Sequence, residues 1–196
     1  MHRKKIDKHH LNWNWWILSW YPFFICYLSL SNHNVVIGPE FVFKALSALP
    51  DFQRDNETYN LQFISNIDPI NFSQVVSGLN CENTMVIVIS KTFTTQETLL
   101  NYELVKNWMK KGFKSKASES AILSNHFFAI TSNPSNPAEK GFNDQNIFKL
   151  WDWVGGRYSV CSAVGMVPLS CVFSFNCMIQ FLKFLSNKKK LSRIIH

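Results

Sequence analysis

The sequence predicts an α/β fold, a doubly wound and mostly parallel sheet flanked by helices. Three observations lead there. The run Thr84-Met85-Val86-Ile87-Val88-Ile89 is apolar without alternation and ends at a polar turn, as a strand buried on both faces of a parallel sheet does. Behind it, Thr94 to Lys111 carries Leu99, Leu100, Leu104, Val105 and Trp108 at helical spacing. The same alternation of short apolar runs with amphipathic segments recurs on both sides, which is the pattern of strand–helix–strand units.

Taken in order, residues 1–34 differ from the rest. His2-Arg3-Lys4-Lys5 precedes Trp13 to Leu30, an almost uncharged run with five aromatics among its first nine residues. Its length and positive flank suit a membrane anchor or signal segment. Pro22 within the run, Asn12 and Asn14 at its start, and the lack of a clear small-x-small cleavage site argue against membrane insertion. A non-native basic and aromatic extension is the preferred reading, with no structure assigned. Val35-Val36-Ile37-Gly38 reads as a short strand, and Pro39 to Leu49 as a helix with Phe41, Ala45, Leu46 and Leu49 on one face. Leu61 to Ile67 is a second strand. Asp68-Pro69 then opens a helix through Ser73, Val75, Val76 and Leu79, with Asp68 favoured as its cap over a catalytic carboxylate.

After the central strand and helix, Lys110 to Ser120 reads as a polar surface loop around Gly112. His126 to Thr131 is a fourth strand, and His126 fits a hydrogen-bonded histidine at a sheet end better than a general base. Ser132-Asn133-Pro134 and Asn136-Pro137 are turns, followed by a short helix. Ile147 to Val154 returns the chain towards the sheet's end. Ser159 to Ser170 is a tightly packed helix, Cys171 to Leu185 an apolar helical stretch, and Lys188-Lys189-Lys190 a solvated end.

Of 196 residues, 46% are hydrophobic and 17% charged, enough for one sizeable core. The formal charge of +7 is confined to the ends: residues 1–10 carry +3 and residues 188–196 carry +4, so the interior is neutral. No basic face is left for a nucleic-acid backbone, and nucleic-acid binding is disfavoured. Cys26, Cys81, Cys161, Cys171 and Cys177 are odd in number and lack Cys-x-x-Cys spacing, which speaks for buried reduced thiols and against disulfides or a zinc site.

Two constellations carry chemistry. In Ser90-Lys91-Thr92-Phe93-Thr94-Thr95, hydroxyls and one ammonium sit between a strand's carboxyl end and a helix's amino end. Unpaired N–H groups and the helix dipole favour an anion there, so Ser90, Lys91, Thr92 and Thr95 are candidate phosphate ligands needing no metal. The plainer alternative is a hydroxyl-capped helix beside a solvated lysine. In Trp151-Asp152-Trp153-Val154-Gly155-Gly156-Arg157-Tyr158-Ser159, the two glycines allow close backbone approach to a ligand, and Arg157 keeps a charge able to bond two oxygens. Its plainer role is helix capping or pairing with Asp152.

Together the two motifs resemble the phosphoglucose isomerase (glucose-6-phosphate isomerase) family, of plant-like cytosolic type. Ile67-Asp68-Pro69 and Phe148-Lys149-Leu150 extend the resemblance over about residues 35–169. The resemblance implies a sugar-isomerase (SIS-like) domain at 35–170, with the extension at 1–34 and a divergent apolar then basic tail at 171–196. It implies interconversion of glucose 6-phosphate and fructose 6-phosphate through a cis-enediolate, in glycolysis and gluconeogenesis in the cytoplasm. Ser90, Lys91, Thr92 and Thr95 would hold the sugar phosphate, and Arg157 would be catalytic, stabilising the enediolate. No cofactor or metal is implied, and a homodimer is.

Two departures stand out. The family's glycine-rich turn with a serine is missing where Gly38 runs into Pro39. The family's glutamate, histidine and lysine for proton transfer and ring opening lie beyond the arginine signature, whereas this sequence ends 39 residues after Arg157 and has no Asp or Glu after Asp152. A partial, incomplete domain is therefore expected, and a catalytically silent sugar-phosphate-binding fragment is the alternative to an active isomerase.

Overall fold

The computed structural model describes residues 23–28, 34–49, 60–114 and 116–186, with 23–28, 34–37 and 157 described by backbone alone. Five parallel strands lie in the order β2-β1-β3-β4-β5. They are β1 (Phe23–Leu28), β2 (Asn60–Ile64), β3 (Thr84–Ile89), β4 (Phe127–Thr131) and β5 (Ile147–Lys149). The helices are α1 (Asn34–Ser47), α2 (Pro69–Val76), α3 (Gln96–Phe113), α4 (Glu119–His126), α5 (Ser135–Glu139), α6 (Ala163–Phe173) and α7 (Phe175–Ser186). This is the doubly wound parallel sheet expected from the sequence.

All six residues of β3 are buried, because both faces of the strand are covered. Met85, Ile87 and Ile89 point to a core shared with Leu46 of α1, Leu169 and Val172 of α6 and Met178 of α7. Val86 and Val88 point to the other core, with Tyr102, Val105 and Met109 of α3, Leu123 of α4 and Phe142. In this strand order the topological switch lies between β1 and β3, where chains leave in opposite directions and open a crevice at the strands' carboxyl ends.

The first strand is not where the sequence suggested. Val35–Gly38 is helical, and the strand is β1, from Phe23 to Leu28, paired with β2 on one side and β3 on the other from Phe23↔Thr84 to Leu28↔Ile89. Residues from the stretch read as an extension thus supply an interior strand. The physical reason is visible in α1. Starting the helix at Asn34 puts Pro39, Val42, Phe43 and Leu46 on the core face at spacings of three and four, with Pro39 and Leu46 buried. Of the face expected from the sequence only Leu46 is buried: Ala45 is exposed, Phe41 is 71% exposed and Leu49 47%. Gly38-Pro39 therefore lies inside α1 rather than at a strand-to-helix turn. The connection after the first strand falls to residues 29–33, Ser-Leu-Ser-Asn-His, which contain no glycine and lie outside the described residues.

Other differences are local. α3 runs through Gly112 to Phe113 instead of ending in a loop, because a Cβ at Gly112 would stand 2.4 Å from Cys81 Sγ; the glycine lets the helix lie against the 3-10 turn Cys81–Asn83. A helix not foreseen, α4, is capped by the Ser118 hydroxyl accepting from Ala121 N–H. Asp68 caps α2 by accepting from Ile70 N–H at 2.9 Å, as expected. His126 closes α4 rather than opening β4, but it is buried and its Nδ1 lies 2.9 Å from the Thr84 carbonyl, the expected sheet-end histidine. Cys81 and Cys171 are buried free thiols, whereas Cys161, expected inside, is exposed. The apolar stretch from Cys171 is split at Ser174, whose φ of 71° breaks α6 from α7.

Candidate functional site

The loop after β3 is fixed by the neighbouring strand. Ser90 N–H donates to Ile130 O at 3.1 Å, continuing the β3–β4 ladder by one residue. The Lys91 carbonyl accepts from Ser132 N–H (2.9 Å), the Thr131 hydroxyl (2.9 Å) and the Ser132 hydroxyl (2.6 Å). The Thr92 carbonyl accepts from Asn136 Nδ2 at 2.8 Å. Both carbonyls are thus turned towards protein donors. A loop whose oxygens are occupied in this way does not present them to an anion.

The hydroxyls are arranged differently. Ser90 is buried, and its Oγ accepts from Phe93 N–H at 3.1 Å and lies 3.4 Å from Thr95 Oγ1. Thr92 Oγ1 accepts from Thr94 N–H at 3.4 Å and from the Thr94 hydroxyl at 2.8 Å. Its oxygen is engaged within the loop while its own hydrogen is left to donate. Thr95 is the N-cap residue of α3, yet its side chain makes no capping hydrogen bond. The plainer reading, a hydroxyl-capped helix, does not describe this terminus. What the loop offers is hydroxyl donors and a helix amino end, the pattern that receives an anion.

Lys91 connects the two motifs. Its side chain is exposed and Nζ donates to the backbone carbonyl of Asp152 at 2.5 Å, across 61 residues of sequence. Trp151 to Val154 form a turn closed by Val154 N–H to Trp151 O at 2.9 Å. Trp151 and Trp153 stack at 5.0 Å with 18° between their planes, and Lys149 Nζ stands 4.4 Å over the Trp151 ring. Trp153 is 78% exposed and Tyr158 84%. Gly156 has φ +58°, and a Cβ at Gly155 or Gly156 would meet nothing within 4 Å, so the glycine pair faces open space. Arg157 is the second residue of the 3-10 turn Gly156–Cys161; its side chain lies outside the description. That turn packs on α1 and continues into α6, whose Ser162 cap accepts from Val164 N–H.

The structure therefore brings Ser90, Lys91, Thr92 and Thr95 into one loop and joins that loop to the segment carrying Arg157. Sequence reasoning missed Thr131, Ser132 and Asn136 as the loop's anchors. The available signal was topological: consecutive parallel strands place their carboxyl-end loops side by side. Among the described residues no group of three or more His, Cys, Asp or Glu side chains could hold a metal ion. Within them, no helix is long and apolar enough to cross a membrane.

Residues 32–190 match the phosphoglucose isomerase family. The chain belongs to that family. It is 42% identical over 147 residues to the cytosolic glucose-6-phosphate isomerase of Arabidopsis thaliana, covering 75% of this chain and 25% of that protein. The match to cytosolic glucose-6-phosphate isomerase 2A of Clarkia lewisii has the same identity and coverage. In structure it is similar to a glucose-6-phosphate isomerase from Chlamydia trachomatis, with a TM-score of 0.64 and 29% identity, covering 85% of this chain and 29% of that one. The protein TT0462 of Thermus thermophilus shares the fold at a TM-score of 0.60 and 20% identity. The chain thus spans about a quarter of the length of the curated relatives it matches.

Proposed function

We propose that this chain carries the sugar-phosphate-binding part of an aldose–ketose isomerase that interconverts glucose 6-phosphate and fructose 6-phosphate. The observation that carries the reading is the Lys91–Asp152 contact, which joins a hydroxyl-rich loop at a helix amino end to the Gly-Gly-Arg segment. In this reading the Ser90, Thr92 and Thr95 hydroxyls and the Lys91 ammonium hold the phosphate, and the sugar extends towards Gly155 and Gly156. Isomerisation moves a proton between adjacent carbons through a cis-enediolate. The Arg157 guanidinium, placed beside the developing oxygen charge, would stabilise the transition state more than the bound sugar. The reaction needs no cofactor. Cytoplasmic location and a homodimer, with a second subunit beside the open site, belong to the same proposal.

A second reading is binding without turnover. A general base must take the proton, and the sequence has no carboxylate after Asp152. In this reading the polypeptide is a catalytically silent sugar-phosphate-binding module that holds the ligand at the Ser90–Thr95 loop and supplies no base.

A coupled isomerase assay on the purified chain with fructose 6-phosphate, with Arg157→Ala as control, tests the first reading against the second. Turnover abolished by the substitution supports an isomerase. Thermal stabilisation by the sugar phosphate without turnover supports the binding module. Neither effect would reject both.

A further inference from the structure

Phe93 sits in the middle of the candidate phosphate loop with φ +57°, the left-handed region that a bulky side chain rarely adopts. Such a conformation is strained and persists only where the surroundings over-determine it. Here they do. Phe93 is 1% exposed, on the α2–α3 side of the sheet, in the same core as Tyr102, Phe127 and Phe142. Its ring meets Phe142 edge-on, with centroids 5.6 Å apart and 87° between planes. Phe142 in turn contacts Tyr102 and Phe127, so the ring is embedded in an aromatic cluster. A glycine would adopt the same backbone without strain but would have no ring to hold it there.

The neighbours of this residue are the candidate phosphate ligands. Phe93 N–H donates to Ser90 Oγ, and that oxygen lies beside Thr95 Oγ1. On the other side, Thr92 has its carbonyl turned to Asn136 and its Oγ1 engaged by Thr94. In sequence the left-handed residue lies inside both hydroxyl pairs, Ser90 with Thr95 and Thr92 with Thr94, so its backbone sets how the two halves of each pair meet. We infer that Phe93 is the positioning residue of this loop: its buried ring holds the backbone turn that directs the Ser90, Thr92 and Thr95 hydroxyls to one anion. The inference rests on the phosphate reading above.

The test compares Phe93→Leu with Phe127→Leu in the full chain. Both shorten a fully buried ring of the same cluster, but only the first lies in the loop. Melting temperature reports the packing loss, backbone amide shifts of residues 91–95 without ligand report loop geometry, and titration with inorganic phosphate and with glucose 6-phosphate reports the site. Both variants should melt lower. Phe93→Leu alone should displace the loop amides and weaken both ligands at least ~10-fold, about 1.4 kcal/mol. If Phe93→Leu does not fold, Phe93→Met, which refills the volume with a flexible side chain, takes its place with the same expectation. Native affinity and unshifted amides in the Phe93 variant, or an equal loss in Phe127→Leu, would overturn the positioning role alone. A native chain that binds neither ligand would overturn the phosphate reading and this inference with it.

Discussion

The loop Ser90–Thr95 and the turn Trp151–Arg157 lie side by side but are built in opposite ways. The loop is bound to β4 and α5 through the Ser90 amide and the Lys91 and Thr92 carbonyls, and its central ring is buried. The turn exposes Trp151 and Trp153, with Tyr158 exposed just after it, and among the described residues its side-chain link to the loop is the Lys91 ammonium on the Asp152 carbonyl. Burial explains the difference. The loop grows from a strand covered on both faces, so the sheet itself supplies its partners. The turn follows β5, a three-residue strand at the sheet's edge with neither face fully covered, and has fewer neighbours to define it. In this family member the half of the candidate site proposed to hold phosphate is preorganised by the domain, and the half proposed to act on the sugar is not enclosed by the described residues.

The largest break should come beneath the loop. Phe142→Ala removes the ring on which Phe93 rests and should cost about 3–5 kcal/mol in urea unfolding. The affinity for sugar phosphate should fall with it.

Gly165→Ala should disturb only the other side. A Cβ there would stand 2.2 Å from Val160 O and 2.6 Å from Val160 Cα, backbone atoms that cannot swing away. The 3-10 turn carrying Arg157 must shift off α6, at about 1–3 kcal/mol. Amide shifts should move across residues 155–162 and stay unchanged at 90–95.

His126 sharpens the comparison from the amino end of β3 and β4, beneath the loop. Burial holds its imidazole below its ordinary value near 6.5, partly offset by the hydrogen bond to the Thr84 carbonyl. At a pH near that value the folded chain binds fewer protons here than the unfolded one, so stability is full at higher pH and is lost as pH falls. Melting temperature followed across about pH 5 to 8 should drop on the acid side, and His126→Gln should flatten that slope. An unchanged slope would remove His126 from the account.

The smallest effect belongs to the link itself. Lys91→Met, at an exposed position, should change stability by no more than about 0.5 kcal/mol, yet amide shifts at residues 151–154 should move because the Asp152 carbonyl loses its donor. Shifts confined to the loop would show that the two regions are not coupled.

How far the sequence could be read follows the same division. Thr84–Ile89 and the helix after it were legible because two-sided burial writes an unbroken apolar run and a clear helical period. Val35–Gly38 misled because three branched residues before Gly-Pro imitate a strand end, while the period that matters, Pro39-Val42-Phe43-Leu46, starts inside the apparent turn. Phe23–Leu28 was passed over because its aromatic surroundings resembled an anchor; only pairing with β2 and β3 distinguishes it. The motif placed Ser90, Lys91, Thr92 and Thr95 between a strand's carboxyl end and a helix's amino end, which is where they lie. Their anchors Thr131, Ser132 and Asn136, and the left-handed Phe93, depend on contacts that one sequence does not print.

The most direct test of the central claim, that loop and turn form one sugar-phosphate site, is an amide-resolved titration of the intact chain with glucose 6-phosphate, and with glucose as control. The account predicts that resonances at residues 90–95 and 151–157 move together with a single dissociation constant, and that glucose moves neither. Saturation with no change at either segment, or changes at 90–95 alone, would contradict it.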